Sequence, residues 1–471
     1  MNSITFDVQN EKHFSSRIQK FFSHYQISSI LKQCNAYKRQ GFSALQIVEY
    51  LFTLVFRNRS MFQDMNSKNA PKFKDDTVYR LKSADYIDWK RFTTLLSSRI
   101  IRDTIAPLTS ENRRNAFIVD DSVFERDRST KVELLAKVYD HARNRYLKGF
   151  RMLTLGWSDG VTYMPVNSCL LSSENAKSRI NEAKELRSGS IGAKARAMAQ
   201  RKATEVVPEL ISAALKAGIQ AKYVLFDSWF SSPKVIRSVK EMGLDTVAMV
   251  KKSSKVYYRY DGKLLSCKDI YRQNKKRRGR SRYLLSVDVQ IDAAGKDTAA
   301  IPAKLVYVRS RSNRKDYLVL LSTDTTLTED EIIQLYGKRW DIEVFFKTCK
   351  SILRLTKECC SLSYDAMRAQ TAIVFMRYMF LAVGIREDKD LRTAGPMFCL
   401  VADELADISY AQAFEKLQLF LTKLLGGFNV TEKVILDFVA DFVSSLPLDI
   451  AFFLPLSGWK GTFAAKIGCE V

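Results

Sequence analysis

The sequence predicts a mixed α/β protein in which one core sheet carries a β-rich insertion and helical regions flank both. Three observations predict it. Short apolar runs at 116–119, 132–139, 150–157 and 161–166, separated by turn residues such as Ser158-Asp159-Gly160, read as strands in meander order. A further apolar run, Lys222-Tyr223-Val224-Leu225-Phe226, follows a helical stretch near 202–217, the order expected when a parallel strand is added through a helical crossover. Strand-like segments then crowd residues 236–321, and the residues after Arg354 read as helical.

Residues 1–105 form the first helical region. Ser43 begins a helix, with Gln46 three residues on completing a capping box. Lys32, Lys38, Arg39, Arg57, Arg59, Lys68, Lys72 and Lys74 punctuate this region. Such basic faces suit either a DNA-binding domain or a solvated bundle, because no helix-turn-helix spacing stands out. Residues 106–235 hold the first part of the core. Within 236–321, candidate strands are 246–251, 256–260, 283–291, 303–309 and 317–322. Residues 322–385 return to the core through a long helix from 329 to 350, opened by a Thr328/Glu331 capping box. Residues 386–471 are a second helical region.

Charge narrows the partners. The 471 residues include 75 Lys and Arg against 51 Asp and Glu, a net +24 with a pI near 9.6. A protein this basic usually meets a polyanion, and nucleic acid is the commonest. The 8 cysteines are scattered without metal-binding spacing, and only 3 histidines occur, which argues against a zinc site or a disulfide scaffold. The opening MNSITFDVQNEKHF lacks the pattern of a signal peptide, and no apolar run is long enough to span a bilayer, so a cytoplasmic protein without membrane partners is expected.

The sharpest signal lies in the long helix. Tyr336, Arg339, Glu343 and Lys350 are spaced by three, four and seven residues and fall within an arc of about 60°. Lys347 falls beside them. Leu335, Ile342 and Phe346 flank this stripe on one side, and Ile333, Trp340 and Val344 on the other, so the charges run down an apolar half. Charged groups placed there are costly without a task. Two further carboxylates stand at strand ends: Asp120 or Asp121 after the first apolar run, and Asp227 after the run at 222–226. Two such Asp residues with an inward Glu make a ligand set for hard divalent ions and suit two-metal phosphodiester chemistry. On a strand Asp120 and Asp121 face opposite sides, so only one should bind metal; Asp120, directly after the apolar run, is the preferred ligand, with Asp121 kept open. The basic run Lys275, Lys276, Arg277, Arg278, Gly279, Arg280, Ser281, Arg282 reads either as a phosphate clamp or as a solvated hairpin tip. Trp229 and Trp340 read as core.

The order strand-Asp, strand-Asp, β insertion, then Tyr-x2-Arg-x3-Glu-x6-Lys resembles the DDE transposases of bacterial insertion sequences, in the group with the Y-R-E-K signature. Val119-Asp120-Asp121-Ser122 and Phe226-Asp227-Ser228-Trp229-Phe230 match its two Asp segments, and the resemblance covers about residues 110–360. It implies a ribonuclease H-like core, two Mg²⁺ or Mn²⁺ ions per site, and cleavage and strand transfer at terminal inverted repeats into target DNA. It further implies a homodimer that handles two ends, working at the bacterial nucleoid, with DNA contacts from Tyr336, Arg339 and Lys350. A nuclease or resolvase of the same fold without strand transfer, and a catalytically silent DNA-binding regulator, are the alternative expectations.

Overall fold

The computed structural model describes residues 11–387 apart from 68–69, 111–112, 142, 278–280, 293–298, 311–315 and 359, together with Val434. The chain divides into two compact units. One comprises Met1–His24, Phe56–Arg59 and Pro396–Val471; the other comprises Tyr25–Val55 and Ser60–Gly395. The first contributes helix α1 (Glu11–His24) to the described elements. The helical region expected at 386–471 lies outside the described residues, save for Arg386, Glu387 and Val434.

The second unit opens with helices α2 (Ile27–Gln33), α3 (Ala44–Thr53), α4 (Met61–Met65), α5 (Asp75–Lys82) and α6 (Trp89–Ile100). The capping box of α3 is formed as the sequence predicts. Gln46 N–H donates to Ser43 Oγ at 3.2 Å, and Ser43 N–H donates to Gln46 Oε1 at 2.9 Å.

Four strands follow: β1 (Ala116–Glu125), β2 (Ala136–Asp140), β3 (Arg145–Ser158) and β4 (Tyr163–Leu171). β3 is the organiser. It pairs antiparallel with β1 along one edge, and with β2 and then β4 along the other. Gly149 is opposite both Glu125 and Ala136, and a Cβ there would meet the Phe124 carbonyl oxygen at 2.2 Å, so the crossing of three strands needs glycine. β1 runs well past its apolar segment. Asp120 and Asp121 are therefore mid-strand, paired with Thr154 and Leu153, and do not end the strand as expected. The partner strand is long enough to continue the ladder, and backbone pairing does not stop where hydrophobicity does. Conversely, β2 begins only at Ala136. Leu134 upstream has φ 56°, which breaks the extended run predicted from Val132.

Helices α7 (Ile191–Ala199) and α8 (Ala203–Lys216) lead into β5 (Tyr223–Phe226); α9 (Pro233–Glu241) leads into β6 (Asp245–Met249). β5 lies parallel to β1, and β6 parallel to β5, as the helical crossovers between them allow. Ala116, Phe117, Ile118 and Val119 of β1 and all of β5 are buried, the pattern of strands covered on both faces. The remaining strands are β7 (Tyr257–Tyr260), β8 (Lys263–Ser266), β9 (Tyr283–Ile291), β10 (Ile301–Arg309) and β11 (Tyr317–Ser322), with α10 (Cys267–Gln273) between β8 and β9. The sequence reading omits β8 and α10, although Asp261-Gly262, at φ 47° and 74°, is a hairpin turn signal. β6, read with the insertion from sequence, pairs in parallel with β5, and β11 then pairs antiparallel with β6. All of the strands among the described residues thus share one mixed sheet, in the order β2-β3-β1-β5-β6-β11-β10-β9-β7-β8 with β4 on β3.

The helix expected from 329 to 350 is two: α11 (Glu329–Gly337) and α12 (Trp340–Ser351). The Thr328/Glu331 capping box opens α11. At the junction the N–H groups of Lys338 and Arg339 bond back three residues, to Leu335 and Tyr336, so the α-helical ladder is interrupted beside Gly337. Finally α13 (Tyr364–Glu387) is buried through most of its length. Its Arg377 donates to the carbonyls of Leu51, Phe52 and Leu353 and pairs with Glu358 at 2.8 Å, which is how an arginine is accommodated inside an apolar helix. Among the described residues no helix is long and apolar enough to cross a membrane.

Candidate active site

The parallel register sets two carboxylates level. Val119 of β1 is opposite Phe226 of β5, so Asp120, within β1, and Asp227, just past the end of β5, stand level. Asp227 accepts the Trp229 N–H at 2.8 Å in the turn that follows β5. Asp120 and Asp121 point to opposite faces of the sheet, as alternation requires. Asp121 pairs with Arg151 of β3 at 3.3 Å. Asp120 faces the α11–α12 junction, where Arg339 Nη1 donates to its Oδ2 at 2.9 Å.

Arg339 joins the strand to the helix. Its Nη2 donates to Glu343 Oε1, so one guanidinium is shared by Asp120 and Glu343. The Tyr336 ring lies 5.8 Å from the guanidinium carbon. Lys350, two turns along α12, donates from Nζ to Ser122 Oγ at 2.6 Å, on the same sheet face as Asp120. The helix break does not disperse the predicted stripe: Tyr336, Arg339, Glu343 and Lys350 keep one side of α11–α12 toward β1. Lys347 is exposed to solvent.

Burial sets the electrostatics. The Asp120 carboxyl is pushed up to about 7, chiefly by burial; Arg339 and the Asp121 N–H oppose this, while Asp121 and Asp227 add to it. Asp121 is raised for the same first reason, with Arg151 opposing. Burial also draws the Lys350 ammonium below its ordinary value and raises the Tyr336 hydroxyl. Burial, and not an excess of negative charge, is thus the first cause at each of these groups.

Several side chains fall elsewhere than expected. Trp340 is 62% exposed and Val344 47%, while Phe345 is fully buried against Tyr163, Phe375 and Tyr378. The charged stripe therefore lies at the border of the buried face and not along its middle. Trp229 is 49% exposed, with Lys251 Nζ 4.3 Å and the Arg151 guanidinium carbon 5.7 Å from its ring. With Arg201 and Lys202 these residues line a cavity of about 370 Å³. Of the basic run, Arg278 and Arg280 lie outside the described residues. Lys276 and Arg277 stack on Tyr271 and Tyr283, at 4.7 and 4.4 Å, and Lys275 lies between α10 and β9. Sequence reasoning missed Ser122 and the pairing of Arg151 with Asp121. The hydroxyl directly after the two Asp residues, and a basic residue on the facing strand, are the signals that point to them.

Asp120, Asp227 and Glu343 offer only carboxylate oxygens, the donors preferred by hard divalent cations. Among the described residues no three carboxylate, imidazole or thiol groups stand close enough to hold a metal ion. Two of the carboxylates are instead spanned by a guanidinium. The donor chemistry of these residues suits a hard cation, and the place between Asp120 and Glu343 is taken by the guanidinium.

The chain matches the model of the DDE superfamily endonucleases over residues 54–312, more than half its length, and belongs to that family. The match takes in Asp120 and Asp227 and ends before α12. DDE superfamily endonucleases generally use divalent metal ions. No curated protein sequence matches the chain. Among solved structures, the cryo-EM structure of piggyBac transposase synaptic complex with hairpin DNA aligns with a TM-score of 0.43 and 11% identity, covering 93% of this chain and 85% of that one.

Proposed function

We propose that the protein is a DDE transposase of a bacterial insertion sequence, of the Y-R-E-K group, which cleaves DNA at the element's ends and joins those ends to target DNA. The observation that carries the reading is the convergence of Asp120, from a strand, and Glu343, from a helix distant in sequence, on one guanidinium, with Asp227 level on the next strand. The order β4-β3-β1-β5-β6, three antiparallel strands followed by two parallel ones, supports a ribonuclease H-like core.

Asp120, Asp227 and Glu343 would hold Mg²⁺ or Mn²⁺, two ions per site, with Asp120 favoured over Asp121 because Asp121 is turned to Arg151. Bound metal supplies activation of the attacking oxygen and charge neutralisation at the leaving oxygen. The chain's own residues orient the strand. Arg339 offers a planar fork to a phosphate, Lys350 a point charge steadied by Ser122, and Tyr336 a hydroxyl beside them. Lys347 and the run from Lys275 to Arg282, including Lys276, Arg277, Arg278 and Arg280, would track the backbone farther out. The helical region before residue 105 would bind the terminal repeats, and a homodimer would hold two ends together at the nucleoid.

The test uses purified protein, DNA bearing the element's own ends and Mg²⁺ or Mn²⁺, with Glu343→Ala as comparison. Wild type should cut and join, while the variant binds ends and does neither. Cutting without joining would assign a nuclease or resolvase. Tight binding without cutting would assign a silent regulator, and full activity in Glu343→Ala would remove Glu343 from the site.

A further inference from the structure

Between Asp120 and Glu343, where a bridging cation would bind, stands the guanidinium of Arg339, with Nη1 on Asp120 Oδ2 at 2.9 Å and Nη2 on Glu343 Oε1. We propose that Arg339 is an internal counter-cation that closes this carboxylate pair in the DNA-free protein, and that a DNA phosphate draws it away and opens the pair to divalent metal. The inference rests on the metal-site reading above, and deepens it by making metal loading depend on DNA.

A guanidinium keeps its proton at any physiological pH, so it leaves the carboxylates only by moving. Its planar fork reaches the two acids with separate nitrogens, Nη1 on Asp120 and Nη2 on Glu343. Lys350, the other cation on this side of α12, bonds to the Ser122 hydroxyl and leaves the acids to Arg339. The hold is incomplete. Arg339 Nε is buried without a hydrogen-bond partner, so the present arrangement wastes a donor that a bidentate phosphate would use. Solvent reaches the pair from the helix side, where the Glu343 side chain is 34% exposed against 16% for Arg339. Metal and guanidinium compete for the same oxygens, whereas phosphate and metal do not. Linkage then requires that DNA raise metal affinity by the factor through which metal raises DNA affinity.

The test measures Mn²⁺ binding to the full chain by electron paramagnetic resonance, without any turnover. The proteins are wild type, Arg339→Gln and Arg339→Lys, each checked for folding by its melting curve. Without DNA Arg339→Gln should bind Mn²⁺ about tenfold tighter than wild type, within the usual range of coupling between sites, and Arg339→Lys, which keeps a cation, should fall between the two. A duplex of random sequence should tighten Mn²⁺ binding by wild type and leave Arg339→Gln unchanged. If Arg339→Gln binds Mn²⁺ no tighter than wild type without DNA, the proposal falls. It falls too if wild type and both variants bind Mn²⁺ equally, or if DNA leaves wild type unchanged. Asp120→Asn and Glu343→Gln separate the two failures. A Mn²⁺ site that they abolish, but that Arg339 does not govern, overturns the closure alone. A chain in which no Mn²⁺ site responds to either substitution overturns the metal-site reading itself.

Discussion

Two arginines in this protein each sit between two carboxylates and beside a tyrosine ring, and they are built to opposite ends. Arg196 of α7 bonds Glu133 through Nε and Nη2, at 2.6 and 2.9 Å, Asp365 through Nη2 at 2.7 Å, and the Gly192 carbonyl through Nη1 at 3.1 Å. Glu133 also accepts the N–H groups of Lys184 and Tyr364, and Asp365 also accepts from Arg368. Against the cost of burial, these bonds hold the Glu133 carboxyl below its ordinary value. Arg339 has one bond to each acid and an idle Nε, and Asp120 is raised to about 7. The first network is saturated, so it fastens α7 and α13 to the loop before β2. The second is underfilled, the condition expected where groups must change partners during a reaction.

The largest effect should come from breaking the underfilled network at its helix end. Glu343→Gln keeps the shape and removes the charge. Cleavage of DNA ends should fall by a factor on the order of 10³ or more, as for other members of a catalytic unit. Because Glu343 is a third exposed, the unfolding free energy should move by no more than about 0.5 kcal/mol. Cleavage rates and urea melts on the same preparations check both halves. A variant that loses stability and activity together would place Glu343 with the structural network instead.

The saturated network should answer in stability. Arg196→Met leaves Glu133 and Asp365 buried without their shared partner, a loss of about 3–5 kcal/mol for a broken buried pair. Arg339→Met should cost much less near pH 6, since Asp120 already holds its proton there and Glu343 can reach solvent. Chemical denaturation at pH 6 compares the two. Equal losses would erase the distinction drawn between them.

How far each network was legible in the sequence differs for the same reason. Asp120 and Glu343, which the structure joins through Arg339, stand out in the sequence because their chemistry is unusual for their places: an acid after an apolar run, and an acid within a charged stripe at helical spacing. The strands Tyr283–Ile291 and Tyr317–Ser322 were readable from local pattern alone and match at both ends. Arg196 was not singled out, because nothing local marks an arginine whose partners come from residues 133 and 365. The same limit applies to β1, whose extension to Glu125 depends on the length of β3, and to the single sheet, which depends on β11 meeting β6. Trp229 and Trp340 were read as core because indoles usually are. Their exposure follows from the turn after Asp227 and from the break at Lys338–Arg339, and neither has a strong local signal.

A last test sharpens the comparison through pH. Asp120 in the folded protein holds its proton to about 7, against 3.8 for an ordinary aspartate. Between those values the folded state binds more protons than the unfolded one, so stability falls as pH rises from about 4 to about 7 and levels off above. Asparagine cannot ionise, and Asp120→Asn should lack this fall. It also loses the bond from Arg339, but that guanidinium keeps Glu343, and the loss does not alter the slope. The difference in melting temperature, variant minus wild type, should therefore grow from pH 4 to pH 7 in metal-free buffer and then stay constant. Added Mn²⁺ at pH 8 should narrow it, because only wild type has the carboxylate to bind the ion. The same comparison at Glu133, whose carboxyl is lowered, should slope the other way, with Glu133→Gln losing most above the ordinary carboxylate range. Parallel, flat differences at the two positions would mean that both acids are held alike.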